Sequence, residues 1–192
     1  MEKLPLFFEK SFHNEDFSHQ NWVPGEYEDC TFVGCNFEHA DWSGSRFLGC
    51  VFRDSNCSLV ALHRTAFLEV TFEGCKLLGL RMEHVNPIGF FVRFQNCTLD
   101  HSSWYRVKMK KFQFVQCSLV GVDFTEADLT EGVLTECTLT NATFEGSILE
   151  RADLRSSMGF SLDPLRNKLK GARFSLQGLP GLLEAWDLRI DP

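Results

Sequence analysis

Residues 117–154 read CSLVGVDFTEADLTEGVLTECTLTNATFEGSILERADL, and the spacing inside this stretch decides the fold. Every fifth residue is large and apolar: Leu119, Phe124, Leu129, Leu134, Leu139, Phe144, Leu149 and Leu154. Two places before each sits a small one: Cys117, Val122, Ala127, Gly132, Cys137, Ala142, Ser147 and Ala152. A period of five fits neither the 3.6 of a helix nor the 2.0 of an open strand, so the chain is a repeat before it is anything else. Calling the large residue i, positions i and i−2 call for burial. The positions i−1, i+1 and i+2, mostly Asp, Glu, Thr, Ser or Asn, face outward.

Working outward, the same register runs from Phe12 through Met82, with Cys57 the one small occupant of an i site. The next large residue after Met82 in register would be 87, which is Pro; the pattern resumes at Phe94. Two extra residues therefore enter at a break over 83–93, and Asn86, Pro87 and Gly89 favour a turn or loop there. Leu4, Phe7 and Phe8 are apolar enough to cover one open end, as terminal repeats require. Past Leu154 the pattern weakens at Gly159 and Pro164 and returns at Leu169 and Phe174. Residues 1–174 thus form the repeat region and 175–192 a separate element. There Leu179, Leu182, Leu183 and Trp186 follow helical spacing after a Pro-Gly start, and Leu188 and Ile190 alternate like a short strand. An end cap that doubles as a dimer surface is the expected use.

The composition agrees with a narrow solenoid: 192 residues, 44% hydrophobic, with 19 Phe against 2 Tyr. No segment reaches the roughly 18 apolar residues of a membrane span, and the first ten residues are too weakly apolar for a signal peptide, so a cytoplasmic protein is expected. Seven of the eight cysteines fall on i−2 sites and none forms a CxxC, which predicts buried thiols acting as small hydrophobes rather than disulfides or a metal site. The six histidines show no ligand spacing, and no nucleophile elbow, phosphate loop or zinc motif occurs. Neither a catalytic site nor a cofactor is expected. Trp42 and Trp104, being in register, are assigned to the core.

Formal net charge is −7, and it comes in blocks. Residues 11–45 and 112–150 each carry seven acids and no Lys or Arg, while 64–111 carry eight bases and four acids. In the second acidic block, Asp123, Glu126 and Glu145 belong to repeats twenty apart, and Asp128, Glu131 and Glu150 to the adjacent set. At strand spacing the block spans roughly 10 Å of axis, or about one charge per 1.4 Å, against about 1.7 Å in duplex DNA.

ADLTE at 127–131 and ADLRS at 152–156 match the consensus A(D/N)LXX, and the chain resembles the pentapeptide-repeat family. That resemblance implies an all-β, right-handed quadrilateral β-helix with four five-residue edges per coil and a short C-terminal helical cap. The twenty-residue spacing of Cys97, Cys117 and Cys137, and of Cys30 and Cys50, agrees with such a coil. FLEVTFEGCKLLGL at 67–80, FTEADL at 124–129 and KGARFSLQGLPGLLEAWDLRI near the end further resemble the antibiotic-resistance and self-immunity branch of Qnr, MfpA, McbG and AlbG, AlbG most closely. Family function there is non-catalytic: DNA mimicry that engages DNA gyrase or topoisomerase IV and protects it from poisons. The resemblance implies Asp123, Glu126, Asp128, Glu131, Glu145 and Glu150 as partner-binding acids. It also implies a homodimer through Leu179, Leu182, Leu183 and Trp186, with no direct nucleic acid or membrane contact. The loop Asn86, Pro87, Ile88 and Gly89 is the only counterpart of the longer Qnr loops, which favours an AlbG-like or McbG-like role. The alternative is an inert solenoid scaffold or interaction module without topoisomerase activity.

Overall fold

The computed structural model describes residues 4–18, 22–186 and 188–189. The chain winds as a parallel β-solenoid whose coils have four sides. One side is a seven-stranded sheet of β2 (Ser11–His13), β4 (Thr31–Val33), β6 (Val51–Arg53), β8 (Val70–Glu73), β9 (Val92–Gln95), β10 (Gln113–Val115) and β11 (Val133–Thr135). Another is a four-stranded sheet of β1 (Leu6–Phe8), β3 (Glu26–Glu28), β5 (Arg46–Leu48) and β7 (Ala66–Leu68). The other two sides are rows of single parallel bridges, one from Asp16 through Asn36 and Asn56 to Met158, the other through Arg81, Ser103, Asp123 and Thr143.

Strands of three residues, four in β8 and β9, follow from the period. The residue at i+2 turns the corner in the left-handed region, as at Glu126 (φ 55°) and Glu131 (φ 58°). So short a strand gains stability only from the coils above and below it.

The sides are filled by columns of stacked side chains. Phe12, Phe32, Phe52, Phe72, Phe94 and Phe114 form one column with centroid separations of 4.8, 4.6, 4.8, 5.3 and 5.1 Å. Trp42 and Trp104 are fully enclosed. All eight cysteines are buried free thiols. At the small site all but Cys117 donate to a carbonyl of the preceding coil, as Cys50 does to Tyr27 (3.3 Å) and Cys75 to Phe52 (3.4 Å). Burial pushes the Cys50 thiol up to about 12, so it is unreactive near neutrality.

Strand pairing places the register break where the sequence does. Val51 pairs with Thr71, Thr71 with Arg93 and Arg93 with Gln113, so the step lengthens by two residues only across 83–93. The Phe72–Phe94 stack is continuous through it.

Both ends depart from expectation. Of the three residues expected to cover the open end, Phe7 does so as the outermost rung, stacked 4.6 Å from Tyr27 and packed against the core, while Leu4 and Phe8 are 37% and 51% exposed. At the other end Gly159 leaves its i site empty, and the neighbouring Phe160 and Leu162 are buried instead. Asn167, at a small site, closes the adjoining coil by donating to Phe144 O and accepting from Ser147 N–H, each at 2.8 Å. The tail forms 3₁₀ turns at Leu176–Gly178 and Glu184–Trp186 around one helical turn, α1 (Pro180–Leu183). Leu188 and Arg189 form no strand, and Ile190 lies outside the described residues.

One irregular small site is explained by its neighbour a coil away. Phe112 occupies an i−2 position, and an added Cβ on Gly132, twenty residues on, would collide with its ring. Gly132→Ala should therefore destabilise the fold by about 1–3 kcal/mol in urea unfolding. The same substitution made in a Phe112→Ala background should add almost nothing; equal costs in both backgrounds would refute the pairing of these two sites.

Candidate partner-binding surface

The six acids singled out in 112–150 lie on two adjacent sides of the rod, and the structure brings most of them against basic side chains of neighbouring coils. Arg106 Nε and Nη2 grip Glu126 at 2.7 and 3.1 Å. Glu131 lies between Arg151 (2.6 Å) from the coil after and Lys111 (3.8 Å) from the coil before. Lys110 reaches Asp128 at 3.3 Å, and Arg166 reaches Glu145 at 3.1 Å. Asp123 accepts the Thr125 amide at 2.8 Å, and only Asp123 and Glu150 of the six make no ion pair among the described residues.

The pairing has a simple cause: a coil of twenty residues sets residue n beside n+20, so the basic block 64–111 faces the acidic block 112–150 across one coil step. The charge density counted along the sequence is largely cancelled in space. Hydrogen bonds from Arg106 and Arg151 hold the Glu126 and Glu131 carboxyls below the usual range. Burial would raise Asp128, but Thr130 and then Lys110 bring it below normal.

The first acidic block is different. Within it Glu15, Glu26, Glu28, Asp29, Glu38 and Asp41 make no ion pair among the described residues. Although Glu26 is the ladder partner of Arg46, Glu28 faces Leu48, and Gly49 takes the place beside Asp29. Bare carboxylates thus concentrate on the first coils, a feature legible in the sequence, where the residue twenty places after each of these acids except Glu26 is not a base.

The break forms a small projection. Asn86 ties it down, its backbone N–H donating to Thr65 O (2.8 Å) and its side-chain Oδ1 accepting from Ile88 N–H (3.0 Å). Gly89 turns at φ 70°, and Ile88 is left 78% exposed. At the C-terminus the four residues of the expected dimer contact separate. Leu182 packs against the core and Leu183 is half-buried, whereas Leu179 is 42% and Trp186 55% exposed.

Among the described residues no group of three or more His, Cys, Asp or Glu could hold a metal ion, and no helix is long and apolar enough to cross a membrane. His13, His39, His63, His84 and His101 are exposed; His19 lies outside the described residues.

A four-sided coil with a five-residue edge defines the class. The chain is a pentapeptide-repeat protein: residues 30–67 match the family of pentapeptide repeats (8 copies) and residues 90–158 the pentapeptide repeat region. No curated protein matches the sequence. Among solved structures it is similar to a trypsin-treated variant of QnrB1, described as a plasmid-mediated fluoroquinolone resistance protein. That similarity has a TM-score of 0.64 at 17% identity, covering 97% of this chain and 100% of the other. Full-length QnrB1 gives 0.53 at 18% identity, over 96% and 100%. At these identities the likeness concerns the fold.

The ion pairs predict a pH dependence with a definite sign. A carboxylate whose folded pKa is lowered stabilises the fold above its unfolded value, about 4.3 for Glu, and that contribution is lost as pH falls through the lowered folded value. Thermal unfolding at low salt should be level from pH 7 to about 5 and fall steadily below. The same scan of Arg106→Gln with Arg151→Gln should show a shallower acid limb; an unchanged limb would mean these pairs contribute nothing.

Proposed function

We propose that this protein is a non-catalytic rod that binds a type II topoisomerase, DNA gyrase or topoisomerase IV, on the surface that takes duplex DNA, and that it protects the enzyme from poisons. The observation that carries this is the run of unpaired carboxylates on the first coils of a rigid solenoid. It is supported by the repeat family and by the shared fold with QnrB1. The set Asp123, Glu126, Asp128, Glu131, Glu145 and Glu150 belongs to the same function in a lesser part, with Asp123 and Glu150 available directly and the rest only as their ion pairs open. Because the loop at Asn86, Pro87, Ile88 and Gly89 is short, the role resembles that of AlbG or McbG more than quinolone protection. Location in the cytoplasm goes with this function.

A supercoiling assay with gyrase, with and without a poison, tests it. The protein should alter supercoiling or restore it in the presence of the poison, with binding that weakens as salt rises. Changing Glu26, Glu28 and Asp29 together to Lys should abolish the effect. Changing Asp123 and Glu150 to Lys should weaken it several-fold, and both proteins should retain native circular dichroism. An unchanged assay in every condition would leave the inert scaffold or interaction module, a reading favoured by the neutralised charge over 112–150.

The same function includes a homodimer through the C-terminal element, with Leu179 and Trp186 as the exposed contacts and Leu182 and Leu183 supporting them from behind. Sedimentation should give twice the chain mass, and Leu179→Glu with Trp186→Glu should give the monomer with its fold intact. A native chain that sediments as a monomer at all concentrations would remove the dimer.

A further inference from the structure

Among the described residues two buried side-chain polar atoms have no hydrogen-bond partner, Trp42 Nε1 and Glu83 Oε2. Trp42 is enclosed in the core. Glu83 instead lines a groove of about 470 Å³ that exists because of the register break. The two extra residues carry the chain outward at Pro87 and Phe90, and Tyr105, Val107 and Lys108 of the next coil form the opposite wall. The volume lies in the range of small-molecule sites, and an apolar lining with a few convergent polar groups is what such sites share.

The polar groups narrow the ligand. Arg81 approaches the other Glu83 oxygen at 3.5 Å and Lys108 lines the rim, while Arg106 beside it is already paired with Glu126, so the Glu83 carboxylate has cations at hand. An added cation is disfavoured, and an anion would meet the carboxylate. Met82, Val85, Phe90 and Val107 supply apolar contact. What Glu83 lacks is one donor, and the terminal torsion of a glutamate turns easily enough to bring its second oxygen to a ligand.

We propose that the groove binds an uncharged, flat apolar molecule with one N–H or O–H donor, of the indole or phenol class, whose donor bonds to the Glu83 carboxylate. None of the carboxylates proposed for the topoisomerase contact lines this groove, which meets that surface only through Arg106, the partner of Glu126, and Pro87 of the loop.

Calorimetric titration of the full chain with indole and with 1-methylindole, which lacks the donor, tests the site. Indole should bind saturably, one per chain, and about tenfold or more tighter than 1-methylindole. Glu83→Leu should bring indole down to the affinity of 1-methylindole while leaving the latter bound, which shows that the groove is intact. Lys108→Trp, at the exposed rim, should block both. Equal affinities in the native protein, or no saturable binding of either, would overturn the proposal. Binding of N-acetyltryptophanamide without indole would also overturn it, in favour of a partner's tryptophan side chain.

Discussion

Vertical stacking of every twentieth residue is the constraint on which the rest of this structure depends. A three-residue strand cannot hold its backbone alone, so each coil borrows its hydrogen bonds and its apolar cover from the coils on either side. Two inward positions per edge meet that demand differently. The large site builds continuous columns, best seen in the six phenylalanines from Phe12 to Phe114. The small site does more than leave room. Thr65 donates to Trp42 O at 2.8 Å, Ser147 to Phe124 O at 2.8 Å, Ser157 to Leu134 O at 2.9 Å and Cys75 to Phe52 O at 3.4 Å. Hydroxyl and thiol therefore perform one task, tying a coil to a carbonyl 23 residues earlier. The cysteine content of the chain reflects this geometry.

The same stacking rule converts a one-dimensional charge pattern into a different three-dimensional one. Blocks of like charge along the sequence become ladders of opposite charge up the rod wherever an acidic block follows a basic one. Lys111, Glu131 and Arg151 form such a ladder at a single corner. Each rung is exposed and individually worth little. Its larger effect is on the outside of the molecule, where it removes net field from a side that sequence counting makes strongly negative. The first coils keep their field because the positions one coil later hold Leu48 and Gly49 rather than bases.

How much could be read from the sequence follows from where that rule applies. In the interior the period alone located the buried residues, the fate of the cysteines and the break between Met82 and Phe94. The twenty-residue coil came from the resemblance, with support from the cysteine spacing. The ion pairs were legible in principle, since Arg106 and Glu126 differ by one coil, but they are invisible to any count made along the chain. At the ends each residue lacks a neighbour on one side, and the period loses its authority. Phe7 covers the stack as its outermost rung while Phe8 stays exposed, Phe160 takes the burial that Gly159 cannot, and Leu182 of the terminal helix turns inward. These are local packing solutions, and no repeat template contains them.

Along the regular coils the two inward residues of each edge fill the rod. Contacts there are made by the three outward ones, which can change without disturbing a column. Backbone change within the repeat is harder, since an insertion shifts every later residue off its column unless it is absorbed before the next coil. The break at 83–93 absorbs two residues in that way: Thr71 pairs with Arg93, and Phe72 still stacks on Phe94 at 5.3 Å. Its product is a projection tipped by Ile88 and a groove beside Glu83, both obtained with the core left whole. Among the described residues, shape other than that of a plain rod is therefore confined to this segment and to the C-terminal element, and selective contacts that need more than charge are best made at one of the two.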